Sequence, residues 1–186
     1  MKIPRILVVY KRSALSVAGK WSKHLCQIEQ FKSNHAAHLK SLNNIESILR
    51  KNAIPFDKHA RAPHLNYSEY NLIITVGGDG TVLECARAMR NKQLLLAVNS
   101  DPCWSVGQFC QSNSFTFESL LKKFLSGKAN LLRLYKLKVV IKKNNKLFRK
   151  IECLNDVLIC HANPASMSRY RISIASNNED QRASGI

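Results

Sequence analysis

Gly77-Gly78-Asp79-Gly80-Thr81 sets a single carboxylate among three glycines, with a hydroxyl just behind it. Glycines permit φ > 0 and let a ligand approach the backbone closely. A helix beginning there would offer unpaired N–H groups, which favour an anion. The chemistry suggested is the holding of an anionic ligand against the turn. A tight strand-to-helix turn without any ligand would use the same glycines, but it has no need of an acid inside them. If Asp79 served only as a helix cap, its loss would cost stability and nothing else.

The neighbouring stretches supply the elements that must hold this turn. Asn71-Leu72-Ile73-Ile74-Thr75-Val76 is short, apolar and β-branched, as a parallel strand buried on both faces would be. After the turn, Val82, Leu83, Ala86 and Met89 recur at helical spacing, with Glu84, Arg87 and Arg90 on the other side. Upstream, Arg5–Tyr10 reads as a strand, followed by basic Lys11 and Arg12. Two helices are predicted, over 14–31 and over 34–51, the second ending in basic charge at Lys51. A polar loop is expected through Pro63, and Leu94–Val98 is another buried strand. Strands alternating with helices imply a parallel α/β sheet whose ligands lie outside the carboxyl ends of the strands, where Asp79 and Asn99-Ser100-Asp101 stand.

Past residue 126 the pattern changes. Tyr135, Leu137, Val139 and Ile141 alternate with Lys136, Lys138 and Lys142, and Asn144-Asn145 offers a turn into a strand from Lys146. Further strands are expected at 151–160, around Val157-Leu158-Ile159, and at 169–175. The fold class is therefore α/β: a Rossmann-like parallel domain over 1–126, bridged by a helix at about 115–126 to an incomplete all-β, sandwich-like domain over 127–186.

Lys and Arg number 29 against 12 Asp and Glu, a net charge of +17, which implies an anionic partner: nucleic acid, a phosphorylated metabolite or an acidic membrane surface. No apolar run approaches a membrane span, and the early strand leaves little room for a presequence, so a cytoplasmic protein is expected ahead of one in the mitochondrial matrix. The six cysteines form no C-x-x-C pair, which reads as reduced thiols rather than a zinc site or disulfide framework. His35 and His38 share a helix face, expected to be exposed and polar, and no metal-ligand set is assigned.

Together, the strand leading into Gly77–Thr81, the strand ending in Val98-Asn99-Ser100-Asp101, and Leu154-Asn155-Asp156-Val157 in a β region resemble the NAD kinases. The spacing of Asp101-Pro102, Ser105, Gly107 and Cys110 is closer to the mitochondrial-type branch, and Arg182-Ala183-Ser184-Gly185-Ile186 resembles the family's Arg-x-Asp-Gly segment, with Ser184 in place of Asp. The resemblance implies transfer of a phosphoryl group from ATP, or polyphosphate, to the 2′-hydroxyl of the adenosine ribose of NAD, with Mg2+ accompanying the nucleotide. It assigns Asp79 to the ribose hydroxyl and Gly78 and Gly80 to the turn that admits it. Asn155 and Asp156 fall at ribose and base, although the family more often has Glu at the second. Ser166 and Arg182 match dinucleotide contacts. Because phosphoryl transfer rests on positioning and charge stabilisation, Asp79 is expected to orient the hydroxyl, or a metal, and accept its proton late.

The family pattern continues beyond Gly185 into a second glycine/threonine/serine motif, so the chain reads as truncated and weak or inactive as it stands, and as a homo-oligomer, a dimer, once completed. Neither a membrane nor nucleic acid is expected as partner. The alternatives are a lipid kinase sharing the glycine turn, against which Val98–Asp101 and Asn155-Asp156 weigh, and a noncatalytic basic module binding nucleotides or nucleic acid.

Overall fold

The computed structural model describes residues 4–13, 25–90, 92–163 and 165–184. Five parallel strands form one sheet: β1 (Ile6–Tyr10), β2 (Phe56–Ala60), β3 (Leu72–Gly77), β4 (Leu94–Asn99) and β5 (Ser112–Asn113), in the order β2-β1-β3-β4-β5. Ile6 pairs with both Phe56 and Leu72, and Gly77 with Asn99, so the carboxyl ends of β3 and β4 finish level.

Alternation along these strands separates two cores. Ile6, Val8, Ile74, Val76 and Val98 face helices α1 (Leu25–Lys51) and α3 (Phe117–Leu125), packing on Leu42, Ile45, Leu49, Phe117 and Leu121. Leu7, Val9 and Ile73 pack with Tyr67, Cys85 and Met89 on the side of helix α2 (Asp79–Ala88). Burial on both faces is why β3 is apolar except for Thr75, and such burial is the main driving force for folding.

The antiparallel region expected beyond residue 126 is present as two separate hairpins, β6 (Leu137–Lys143) with β7 (Lys146–Cys153), and β8 (Met167–Ile174) with β9 (Asn177–Ser184). Asn144 and Asn145, at φ 49° and 58°, form the tight turn between β6 and β7 that asparagine tolerates. By internal contacts the chain divides into two compact units, Met1–Leu154 and Asn155–Ile186.

Several local expectations are corrected. Helix α1 runs through Lys32 and Ser33 without the predicted break: neither residue is Gly or Pro, and polar side chains mid-helix do not stop it. The part of the first predicted helix at 14–24 lies outside the described residues. His38 is only 2% exposed, against Tyr10, so that face of α1 turns inward rather than to water. Phe56–Ala60, expected as loop, is the edge strand β2, whose middle residues are exposed and polar. Val157-Leu158-Ile159 is no strand core: it lies outside the strands and is exposed.

Candidate functional site

The glycine turn sits where β3 ends and α2 begins, and its glycines answer to space rather than handedness. None of the three has positive φ. A Cβ on Gly77 would run into the Thr81 hydroxyl, and one on Gly78 would lie 2.6 Å from Ser105 Oγ. Gly80 differs, since its Cβ would meet only Arg61 Nη1 at an ordinary 3.7 Å. Gly77 and Gly78 are therefore fixed by close packing with Thr81 and Ser105, and Gly80 keeps the mouth of the site open.

Asp79 is not a helix cap. The N-cap is Gly78, with no side-chain bond, and the Asp79 carboxylate reaches to the loop after β4. Its Oδ1 accepts the Phe109 N–H at 2.8 Å and its Oδ2 the Gln108 N–H at 2.9 Å. Each oxygen keeps a second lone pair, so the carboxylate can accept a further hydroxyl without breaking either bond.

That loop is braced from within. Asn99 Nδ2 donates to the Ser105 carbonyl at 2.8 Å, its Oδ1 accepts the Asp101 N–H at 3.1 Å, and the Ser100 N–H donates to the Gly77 carbonyl at 3.1 Å. Gly107 lies in the left-handed region at φ 66°, and a Cβ there would strike Asn99 Nδ2. Cys110 beside the turn has its thiol pushed up to about 11, by burial and then by the Asp79 charge.

Around the turn lies an open cavity of about 410 Å³ lined by Lys11, Arg12, Arg61, Gly78, Asp79, Gly80, Thr81 and Ser105. Its cations follow strands directly: Lys11 and Arg12 leave β1, and Arg61 leaves β2. Backbone bonds fix both exits, from the Lys11 N–H to the Val76 carbonyl at 3.0 Å and from the Arg61 N–H to the Tyr10 carbonyl at 2.8 Å. Glu84 neutralises part of Arg61, at 3.0 Å from its Nε. Three cations and the amino end of α2 converge on one space, which is an anion site by charge and by dipole.

Of the residues assigned from sequence, Gly78, Asp79 and Gly80 lie at this cavity; Lys11 and Arg12 are legible in the sequence only as a basic segment, Ser105 only as part of a family-like spacing, and Arg61 not at all. Basic residues immediately after parallel strands were the available signal for Lys11 and Arg12. Arg61 was hidden because β2 itself was not recognised.

The other assigned residues lie in the second unit. Asn155 and Asp156 are exposed in the irregular stretch that follows β7. Ser166 is half-buried and its N–H donates to the Asn163 carbonyl at 2.9 Å. Arg182 is exposed on β9, directly opposite Arg169 of β8. Among the described residues no group of three or more His, Cys, Asp or Glu could hold a metal ion, and no helix is long and apolar enough to cross a membrane.

The sequence pattern of the ATP-NAD kinase N-terminal domain matches residues 5–129. A protein named "Probable NADH kinase" from Oryza sativa subsp. japonica is 29% identical, over 80% of this chain and 52% of its own length. An NAD kinase of Treponema denticola is also 29% identical, over 86% of this chain and 51% of its own length. The crystal structure of an NAD kinase from Archaeoglobus fulgidus in complex with ATP aligns over 77% of this chain and 45% of that one, with 18% identity and a TM-score of 0.41. The chain thus spans about half the length of these relatives.

Proposed function

This chain belongs to the NAD kinase family, and we propose that it carries the phosphate-handling half of an enzyme that phosphorylates NAD at the 2′-hydroxyl of its adenosine ribose. The observation that carries this reading is the convergence of the Asp79 carboxylate, the α2 amino end and three cations on one cavity. In the proposed reaction the bond between the γ-phosphorus of ATP and the bridging oxygen to the β-phosphate breaks, and a bond from that phosphorus to the 2′-oxygen forms. The hydroxyl proton passes to Asp79 late, and the cations hold the phosphate charge. Asp79 orients the hydroxyl through the lone pairs left free by the Gln108 and Phe109 amides.

A Mg2+ ion fits as a companion of the nucleotide rather than as a resident of a protein cage, because Mg2+ is commonly bound by one or two carboxylates with substrate phosphates. Asp79 is the carboxylate at hand in the cavity, and the ion would supply charge neutralisation between phosphates. Asn155, Asp156, Ser166 and Arg182 are proposed as dinucleotide contacts. Two like charges directly opposite across strands, Arg169 and Arg182, are unfavourable alone and are relieved when an anion lies across them.

The test is NADP formation from NAD and ATP by the full-length protein and by Arg12→Glu. A KM for ATP raised about tenfold or more, as expected for loss of a charge-assisted phosphate contact, supports the assignment. An unchanged KM removes Arg12 from the donor site.

A further inference from the structure

The hairpin β6–β7 concentrates charge in a way that NAD phosphorylation does not use. Between Lys142 and Lys150 stand five cations, Lys142, Lys143, Lys146, Arg149 and Lys150, and no acid. All five are exposed, and among the described residues none has an ion-pair partner. The base of the hairpin is tied down instead. Lys136 Nζ donates to the Met89 carbonyl at 2.7 Å and lies 3.7 Å from Glu152, the one carboxylate of the hairpin. At the tip, Leu147 and Phe148 are 56% and 69% exposed. Phe148 is the residue that the register passes over, since Ile141 pairs with Arg149 and Lys142 with Leu147. A bulge there bends the strand and places a large apolar side chain among the cations.

We propose that this tip is a docking surface for an anionic lipid membrane. Charge alone would serve a nucleic-acid backbone equally well, but a phosphate backbone gains nothing from an exposed Leu beside the Phe. A lipid surface uses both features: acidic headgroups attract Lys and Arg, whose long stems keep the charge in water. The apolar pair enters the boundary between headgroups and acyl chains. The absence of a membrane span bears on crossing a bilayer, not on resting against one.

The experiment is co-sedimentation of the full chain with phosphatidylcholine vesicles, with and without phosphatidylserine, followed by competition with mixed-sequence single-stranded RNA. Binding is expected only with phosphatidylserine. It should fall by more than about a hundredfold in Lys142→Glu/Lys143→Glu/Lys146→Glu, since losing each lysine costs roughly fivefold and reversal adds repulsion. A smaller loss, about tenfold, is expected in Leu147→Ser/Phe148→Ser. The triple Lys→Gln variant should fall between wild type and charge reversal, and a thermal midpoint shared with wild type shows that the surface changes leave the fold intact. Equal binding to phosphatidylcholine alone, undiminished binding by the charge-reversed chain, or RNA affinity that ignores Leu147→Ser/Phe148→Ser and displaces the vesicles would overturn the proposal.

Discussion

The three glycines of the turn are alike in sequence and unlike in cost. Gly78→Ala brings a Cβ to 2.6 Å from Ser105 Oγ, and the expected loss is about 1–3 kcal/mol, as for overpacking elsewhere. Adding Ser105→Ala should recover most of it, because the next atom, Ser105 Cβ, lies at an ordinary 3.6 Å. Chemical denaturation of the single and double variants checks this, and a double variant no more stable than Gly78→Ala would remove the Ser105 contact as the cause. Gly80→Ala should instead stabilise by roughly 0.5–1 kcal/mol, since Ala suits the first turn of α2 and nothing crowds it. Asp79→Asn presents an NH2 group to one backbone N–H that Asp79 accepted. A loss of about 1–3 kcal/mol is expected along with any loss of rate. NADP formation near the wild-type rate in that variant would take Asp79 out of the mechanism.

At the level of the helix, α1 carries a titration signature. His38 is buried, and among the described residues neither ring nitrogen has a partner within hydrogen-bond geometry; burial, then the neighbouring Lys11 charge, opposed by the Lys11 backbone and joined by His35, push its pKa down to about 4. The unfolded chain binds that proton near pH 6.5 while the fold refuses it, so the stability from the neutral ring is complete above about 6.5 and drains away as pH falls toward 4. By about pH 5 the loss is about 2 kcal/mol, at about 1.4 kcal/mol for each unit below 6.5. Urea midpoints at pH about 7.5 and 5 should show it, and His38→Phe should flatten the difference. The same helix marks what sequence could and could not disclose. The runs at 72–76 and 94–98 were legible because burial on both faces over most of their length leaves them apolar except for Thr75. Phe56–Ala60 and Asn177–Ser184 were not, because a strand held mainly by backbone bonds needs no apolar pattern, and the break predicted between 31 and 34 falls mid-helix, where no Gly or Pro stands. In the site, the glycine turn advertised itself, whereas Arg61 belongs to it only through the position of β2, and the bonds from Asp79 to Gln108 and Phe109 join residues too far apart in sequence for any spacing to show.

On the scale of the whole molecule, the parallel sheet gathers the exits of β1, β2 and β3 on one edge, and a net charge of +17 comes to a local use there. ATP or tripolyphosphate should therefore raise the thermal midpoint of the chain by several degrees, as about 2.7 kcal/mol of binding energy at a hundred times Kd implies. Differential scanning fluorimetry tests this, and a shift equal in Arg12→Glu and wild type would place the anion elsewhere. The strand order has another consequence, which belongs to synthesis. Ile6 pairs with Leu72, 66 positions later, so β1 leaves the ribosome roughly 3 to 13 seconds before its inner neighbour exists. During that interval Ile6-Leu7-Val8-Val9, which end at the heart of the sheet, lack the strand that covers their inner edge, and the segment is expected to offer an exposed apolar surface that a chaperone can hold.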